Sequence, residues 1–308
     1  MELTNITKKS ILAVGMALCL TSCFMHKSGY DNYENYSTGN TTFNDKINNI
    51  DISWVSGKVK IINHQSNTIT LTEKSNYSLP EKKQVHWWLD GTTLRVKFAS
   101  SKAVFFPLGT SKELTIALPE NYSLSNLSIN STSADISIEK MKTEKLDISS
   151  VSGAIDLMGE AKEMMLKSTS GNIDVNQAGI TETANISTTS GALTTSFDVC
   201  KKISINSTSG KINVTTNETI EALAKSTSGS ISFKANRTFN MCNFKSTSGC
   251  ISLGLNNNIG FVATINTSSG DFTSDFALKK RDNTYTYGNG DATISAKTTS
   301  GNIILNGI

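Results

Sequence analysis

The sequence predicts an all-β chain wound as a single-stranded parallel β-helix, a β-solenoid with rungs of about 19–20 residues. Three observations predict it. First, a Ser-Thr-Ser-Gly-like motif recurs, ending at Gly57, Ala134, Gly153, Gly171, Gly191, Gly210, Gly229, Gly249, Gly270 and Gly301. From Ala134 to Gly270 the gaps are 19, 18, 20, 19, 19, 20 and 21 residues, the near-fixed period of a stacked repeat. Second, apolar residues fill fixed columns around the motif with period-2 alternation, the pattern of strands with one buried face. Third, 3 prolines and 7% aromatic residues in 308 suit long β-ladders, and 37% apolar residues suit a thin core between polar faces.

The columns assign each position a direction. Leu127, Leu146, Met164, Ala184, Ile203 and Cys242 stand seven residues before the Gly. Ile129, Ile148, Leu166, Ile186, Ile205 and Phe244 stand five before it, and Ile136, Ile155, Ile173, Leu193, Ile212 and Ile251 two after it. All should face inward. The Gly between two such strands reads as a corner that uses φ > 0. Ala134 breaks that rule, so its corner should be differently shaped or strained. The Ser columns before the corner should stack as hydroxyl ladders. One rung buries too little to stand alone, so stacking must supply the rest. These units are about half the length of a propeller blade, which favours a helix over a propeller.

Taken in order, residues 1–22 read as a targeting segment. Lys8 and Lys9 precede a mostly apolar run over residues 10–20, too short to span a bilayer. The run ends in Leu20-Thr21-Ser22-Cys23, which resembles the lipobox of bacterial lipoproteins, whose Cys is acylated after cleavage before it. Cys23 is therefore the expected lipidation site, and the membrane is an expected partner through the acyl chains. Residues 23–44 are rich in Asn, Ser, Gly and Tyr and read as a flexible tether. Tyr30, Tyr33 and Tyr36 could alternatively begin a strand. Residues 45–120 carry a weaker pattern. The 77 residues from Gly57 to Ala134 approach four periods, so the region reads as irregular N-terminal rungs or a cap, with a separate small β-domain as the alternative. Residues 121–308 are the regular solenoid. Within it, residues 279–291 exceed the period and read as a hairpin or loop leaving a rung. The final 302–308 run reads as an open apolar edge, which would be covered by a loop or pair in a homo-oligomer.

The order of an opening Ser-Gly corner, alternating strands, Leu114-Thr115-Ile116-Ala117-Leu118-Pro119, then Ser-x-Ser-Gly-x-Ile rungs is specific. Over roughly residues 45–308 it resembles the bacterial putative-adhesin family of domains of unknown function. That resemblance implies a β-solenoid, often lipid- or membrane-anchored, with adhesion as its assigned role. It supplies no catalytic residues.

The chemistry-bearing residues point the same way. His26, His64 and His86 are isolated, and no His-x-x-x-His, Cys-x-x-Cys or Gly-x-Ser-x-Gly motif occurs, so no metal, cofactor or catalytic His is expected. Removing residues 1–22 leaves a charge of about +2, too small for a nucleic-acid footprint. Cys242 should be a core residue and Cys250 should face outward. Cys200 could do either, and the spacings suggest no disulfide framework. Asp135, Asp156 and Asp174 lie near one face on successive rungs and could bind a cation weakly, but the series stops there. The outward Thr column, including Thr189, Thr208 and Thr227, is explained by β-propensity; its neighbouring row, with Lys167, Lys225, Lys245 and Lys297, is too charged to order ice-like water. Trp87 and Trp88 are adjacent on a strand, so one should pack inward and the other could stack on a sugar ring. In the 279–291 excursion, Arg281, Tyr285 and Tyr287 are further candidate binding residues.

These readings converge on a non-enzymatic, lipid-anchored binding module of the cell envelope, an adhesin whose ligand is a glycan or a protein. A structural or sensory envelope protein that binds another membrane protein is the second reading. A polysaccharide lyase is the third, since parallel β-helices include such enzymes.

Overall fold

The computed structural model describes residues 30–101, Phe106 and residues 109–308; the expected signal segment, Cys23 and His26 lie outside the described residues. After a 3-10 turn at Tyr33–Asn35 come the short strands β1 (Ser37–Thr38) and β2 (Thr41–Phe43). Next are β3 (Asn49–Trp54), β4 (Lys58–His64), β5 (Ile69–Ser75), β6 (His86–Asp90), β7 (Thr93–Lys97), β8 (Lys112–Pro119) and β9 (Ser123–Ser131). Six long strands follow: β10 (Asp135–Ser150), β11 (Ile155–Ser168), β12 (Ile173–Thr188), β13 (Leu193–Ser207), β14 (Ile212–Ser226) and β15 (Ile231–Lys245). The chain closes with β16 (Ile251–Leu255), β17 (Phe261–Thr267), β18 (Phe272–Ser274), β19 (Lys279–Arg281), β20 (Thr284–Tyr287), β21 (Ala292–Thr298) and β22 (Ile303–Gly307).

The long strands define the architecture. Each pairs in parallel with the next, one repeat later: Ile173 lies beside Leu193, and Ile186 beside Ile205. A straight 16-residue strand would be about 50 Å long, whereas a four-residue corner reaches at most about 14 Å. The chain can return to register only if each strand folds back on itself midway. The register breaks between Ile138 and Met141, Gly159 and Glu163, and Gln177 and Ile180 are consistent with that bend. Each rung is thus a leading arm after the Gly and a trailing arm before the next one, and the fold is a β-solenoid. The inward columns are buried as expected, from Leu127, Ile129 and Ile136 to Ile294, Ala296 and Ile303; Phe272 is only partly covered. Cys242 and also Cys200 are buried, and Cys250 is exposed. At the outer bend side chains link rungs: Asn217 Nδ2 donates to Asp198 Oδ1 (2.8 Å) and Asn236 Nδ2 to Asn217 Oδ1 (3.0 Å).

The corner glycines do not serve backbone handedness. Gly57 has φ +92, but Gly153, Gly171, Gly191, Gly210, Gly229, Gly249, Gly270 and Gly301 are not in the left-handed region. What they provide is closeness. A methyl group on Gly210 would sit 1.8 Å from the carbonyl oxygen of Gly191, and one on Gly229 2.0 Å from that of Gly210. The rungs touch backbone to backbone at this edge. Ala134 is tolerated because the corner beneath it is Gly57, whose carbonyl accepts the Asp135 N–H (3.0 Å). The expected hydroxyl ladder is likewise corrected. Several of the buried hydroxyls serve corner backbone groups: Gly229 N–H donates to Ser226 Oγ and Gly249 N–H to Ser246 Oγ, each at 2.8 Å, and Ser150 Oγ–H donates to the Gly153 carbonyl at 3.0 Å, whereas Ser168 Oγ and Ser207 Oγ have no partner among the described residues. A Ser or Thr three residues before the Gly folds the corner by capping it locally.

Both ends of the stack depart from sequence order. β3 pairs with β7 and β9, and β4 with β8 and β10, so the rung of Gly57 lies directly beneath that of Ala134 and above a rung made by β7 and β8. The 77-residue gap is therefore not a run of four rungs. Beyond β8 lie β5 and then β2, and beyond β7 lie β6 and then β1, all antiparallel. The tether expected over 23–44 is corrected in its described part, because β1 and β2 belong to this end and Phe43 is buried. At the other end β15 pairs with β21, not with β17, and β17 lies beyond β21; β22 lies between β16 and β18. The last strand is thus enclosed on both sides, which corrects the expected open edge and removes the basis for an oligomer through it. The outermost strands β1, β2, β18 and β19 have two or three residues each, and β19 is Lys279-Lys280-Arg281. Short or charged edges resist pairing with other chains.

Candidate functional site

The strand β6 alternates as its sequence requires. Trp87 turns toward the core, edge-on to Phe43 with ring centres 5.0 Å apart, and its Nε1–H donates to the Gly39 carbonyl at 3.0 Å. Trp88 turns outward, yet it is half-buried because other side chains cover it. Register explains its neighbours: Trp88 lies beside Arg95 of β7, which lies beside Asp51 of β3. The Arg95 guanidinium sits 5.8 Å from the Trp88 ring centre, held by Asp90 (3.0 Å) and Asp51 (3.4 Å). Tyr36 also meets Trp88, with ring centres 5.8 Å apart, and Tyr30 meets Tyr36 at 4.8 Å. Lys97 completes the row; its Nζ donates to Ser53 Oγ (2.8 Å) and lies 5.9 Å from the Tyr30 ring. Burial raises the Tyr30 phenol to about 12, with Tyr36 adding to the effect, so the ring is neutral at physiological pH.

This face runs into a groove of about 660 Å³ lined by Tyr30, Lys97, Phe98, Phe106, Val55 and Val151. Val55 and Val151 are half exposed, at 48% and 51%, in a column otherwise filled by hydroxyl residues. The region beneath is closely packed and fully buried around one lysine. Lys112 is fully buried, paired with Glu73 Oε1 at 2.5 Å, donating to the carbonyls of Lys83 and Phe98, and enclosed by the rings of Trp54, Phe98 and Phe106. Glu73 Oε2 also accepts the Val85 N–H at 2.9 Å. Burial pulls the Lys112 ammonium below its ordinary pKa, while Glu73 works against that shift. The arrangement sets partly covered aromatic rings beside fixed donors and acceptors, groups that can meet a ring with polar edges.

The remaining candidates stand elsewhere. The residues 279–291 do form a hairpin, of β19 and β20, at the opposite end of the stack. Tyr285 packs on Phe272 at 4.7 Å. Tyr287 packs on Phe261 and Phe276 at 5.5 and 4.7 Å, and its hydroxyl donates to the Asn257 carbonyl at 3.0 Å. These two rings close the end of the core, and Arg281 is exposed. Trp87 and Trp88 are therefore not brought together with Arg281, Tyr285 and Tyr287. The acidic series also loses a member: Asp156 and Asp174 are neighbours, but Ser137 precedes them, and Asp135 Oδ1 accepts the Ala154 N–H at 3.0 Å. Among the described residues no group of three or more His, Cys, Asp or Glu is arranged to hold a metal ion.

Sequence reasoning missed Tyr30, Tyr36, Asp51, Asp90, Arg95 and Lys97. One signal for Arg95 was present. Asp90-Gly91 marks a tight hairpin turn, with Gly91 at φ +60, and counting outward from it pairs Trp88 with Arg95. The Tyr30 and Tyr36 contacts had no comparable signal.

Similar solved structures share the overall extent of the chain at low identity. A "putative lipid binding protein" from Parabacteroides distasonis is 14% identical, covering 91% of this chain and 98% of its own, with a TM-score of 0.46. A "putative adhesin" from Parabacteroides merdae is 16% identical, covering 89% and 96%, with a TM-score of 0.35. One from Bacteroides fragilis is 13% identical, covering 88% and 97%, also at 0.35. No curated protein matches the chain. The family model described as Toastrack DUF4097 matches residues 47–306, which span both enclosed end rungs and all six long strands, and the chain belongs to that family.

Proposed function

We propose that this chain is a non-catalytic, lipid-anchored binding module of the bacterial cell envelope, whose ligand contacts the Trp88 face. The observation that carries this reading is the contiguous row Tyr30, Tyr36, Trp88, Arg95 and Lys97 on one sheet face beside a mostly apolar groove. Stacking surfaces with fixed polar flanks suit a saccharide ring or the side chains of a protein partner.

The anchor constrains which ligand is reachable. Cys23 precedes Tyr30 by seven residues, which span at most about 25 Å. Acylation at Cys23 holds the Trp88 face close to the bilayer, so its ligand is an envelope glycan or a neighbouring membrane protein. Protease treatment of intact and lysed cells, with Cys23→Ala as comparison, tests the anchor. The expected result is membrane retention of the parent and release of the variant. Glycan binding and envelope crosslinking with Trp88→Ala test the face. Unchanged glycan binding and unchanged crosslinks in a folded Trp88→Ala protein would eliminate it.

A further inference from the structure

Among the described residues, most charged neighbours on adjacent rungs have opposite sign. Lys142 pairs with Glu160 (3.2 Å), Lys162 with Glu144 (2.7 Å), Lys201 with Glu182 (2.8 Å) and Lys60 with Glu113 (3.0 Å). Asp156 beside Asp174 is one like-charged pair, and one row carries like charge over three rungs. Lys225 lies in register with Lys245, and Lys245 in register with Lys297. All three are exposed, and none of their ammonium groups has an ion pair or a hydrogen bond among the described residues. Adjacent strands are about 4.8 Å apart, so three like charges stand one per rung. Like charges directly opposite one another destabilise a sheet, and a sequence with Ser, Asn or Glu at one position would relieve it. The row exists only because β21 intercalates beside β15; in sequence order Asn266 would separate Lys245 from Lys297.

The surroundings define what could relieve the repulsion. On the same outer face, Thr227, Thr247 and Thr299 run along one side of the lysines, and Leu223, Asn243 and Ser295 along the other. The flanks hold no acid. The row ends at Asn266, beyond which lies the turn of Asp282 and Asn283, whose Nδ2 donates to Asn266 Oδ1 (3.4 Å). No aromatic residue stands in these rows, so the stacking that accompanies single-stranded nucleic acid is missing. Hydroxyl and amide rows beside evenly spaced cations match a chain with an anionic group and several hydroxyls on each unit.

We infer that Lys225, Lys245 and Lys297 form a second site, which binds an acidic polysaccharide running along the solenoid axis across successive rungs. The site is at the end of the stack away from the Trp88 face and does not depend on that face having a ligand.

The test is binding of the full chain to polygalacturonate, heparin, neutral dextran and single-stranded DNA at several salt concentrations. The parent should bind an acidic polysaccharide and not dextran, with log affinity falling against log salt at a slope of about −2 to −3, as counterions are released. Replacing all three lysines (Lys225→Gln, Lys245→Gln, Lys297→Gln) should weaken binding at least tenfold at low salt and flatten the slope. The triple Arg replacement should retain binding. Removing three lysines outside the row (Lys46→Gln, Lys74→Gln, Lys234→Gln) changes net charge equally and should cost less than threefold. Because the row is exposed and self-repelling, the Gln variant should unfold at the same or higher denaturant concentration. The inference is overturned if the parent binds neither acidic polymer, if the row variant binds within twofold of the parent, if the control variant loses as much, or if DNA binds more tightly than either polysaccharide. The two sites are told apart by their variants: loss in the lysine variant with binding kept in Trp88→Ala assigns the polysaccharide to the row, and the reverse assigns it to the Trp88 face.

Discussion

Gly210→Ala separates two reasons for a corner glycine. The new methyl would meet the Gly191 carbonyl oxygen at 1.8 Å, its carbon at 2.7 Å and Ser207 Oγ at 3.0 Å. An ordinary contact needs more than 3 Å, so the two rungs must part by more than 1 Å at this edge. That weakens the corner bonds from Ser209 N–H to the Thr189 carbonyl (2.9 Å) and from Leu193 N–H to the Lys211 carbonyl (2.8 Å). Two hydrogen bonds at about 1 kcal/mol each, plus about 1–3 kcal/mol for overpacking, give about 3–5 kcal/mol. Gly91→Ala is the comparison. Its φ is +60 but nothing lies within 4 Å of an added methyl, so only the left-handed penalty of about 1–2 kcal/mol applies. Urea unfolding gives the two values. Because repeat stacks can lose two-state behaviour, hydrogen exchange at rungs 193–229 should locate the damage at that corner. The decisive comparison is Gly210→Asn. Asn enters the left-handed region more readily than Ala but is larger. If Gly210→Asn were milder than Gly210→Ala, handedness rather than close approach would be the requirement at this corner.

Three further outcomes are expected. Lys112→Met leaves Glu73 buried without its cation and should cost about 3–5 kcal/mol in urea unfolding, with the Lys112→Met, Glu73→Gln pair recovering much of it. His86 is buried and its Nδ1–H donates to the Gln84 carbonyl (2.9 Å); burial holds its pKa below the ordinary value against the opposing pull of that bond, with a smaller push in the same direction from the Lys112 charge. The folded state therefore resists protonation, the unfolded state binds more protons, and stability should fall as pH drops below 6.5; His86→Gln should fall less between pH 7.5 and 5.5. Peptide-resolved thiol labelling at pH 8 should modify Cys250 in the native protein, whereas Cys200, pushed up to about 12 by burial, and Cys242, raised further, should react only on unfolding.

The sequence by itself determined the rung. Its period, its two arms and the inward columns follow from side-chain alternation and from a repeat whose copies must superimpose, because a parallel stack aligns like with like. It also indicated the direction of Cys242 and Cys250 and the excursion at 279–291. Tertiary structure decided what depends on distance between rungs. The corner glycines are explained by a neighbouring carbonyl 2 Å from where a Cβ would be, which no single rung contains. The Ser and Thr columns looked like ladders because every rung repeats them, but several of the hydroxyls, those of Ser226 and Ser246 among them, bond a backbone group of their own corner instead. Stacking order at the ends was not legible at all. Which of two equivalent apolar rungs lies outermost is set by the long connections around them, and these carry no period. That order encloses β3 and β22, gathers Trp88, Arg95 and Asp51 onto one face, and places Lys297 beside Lys245. The repeat made the scaffold readable because it is local and periodic, and both candidate sites are harder to read because they arise where the period breaks.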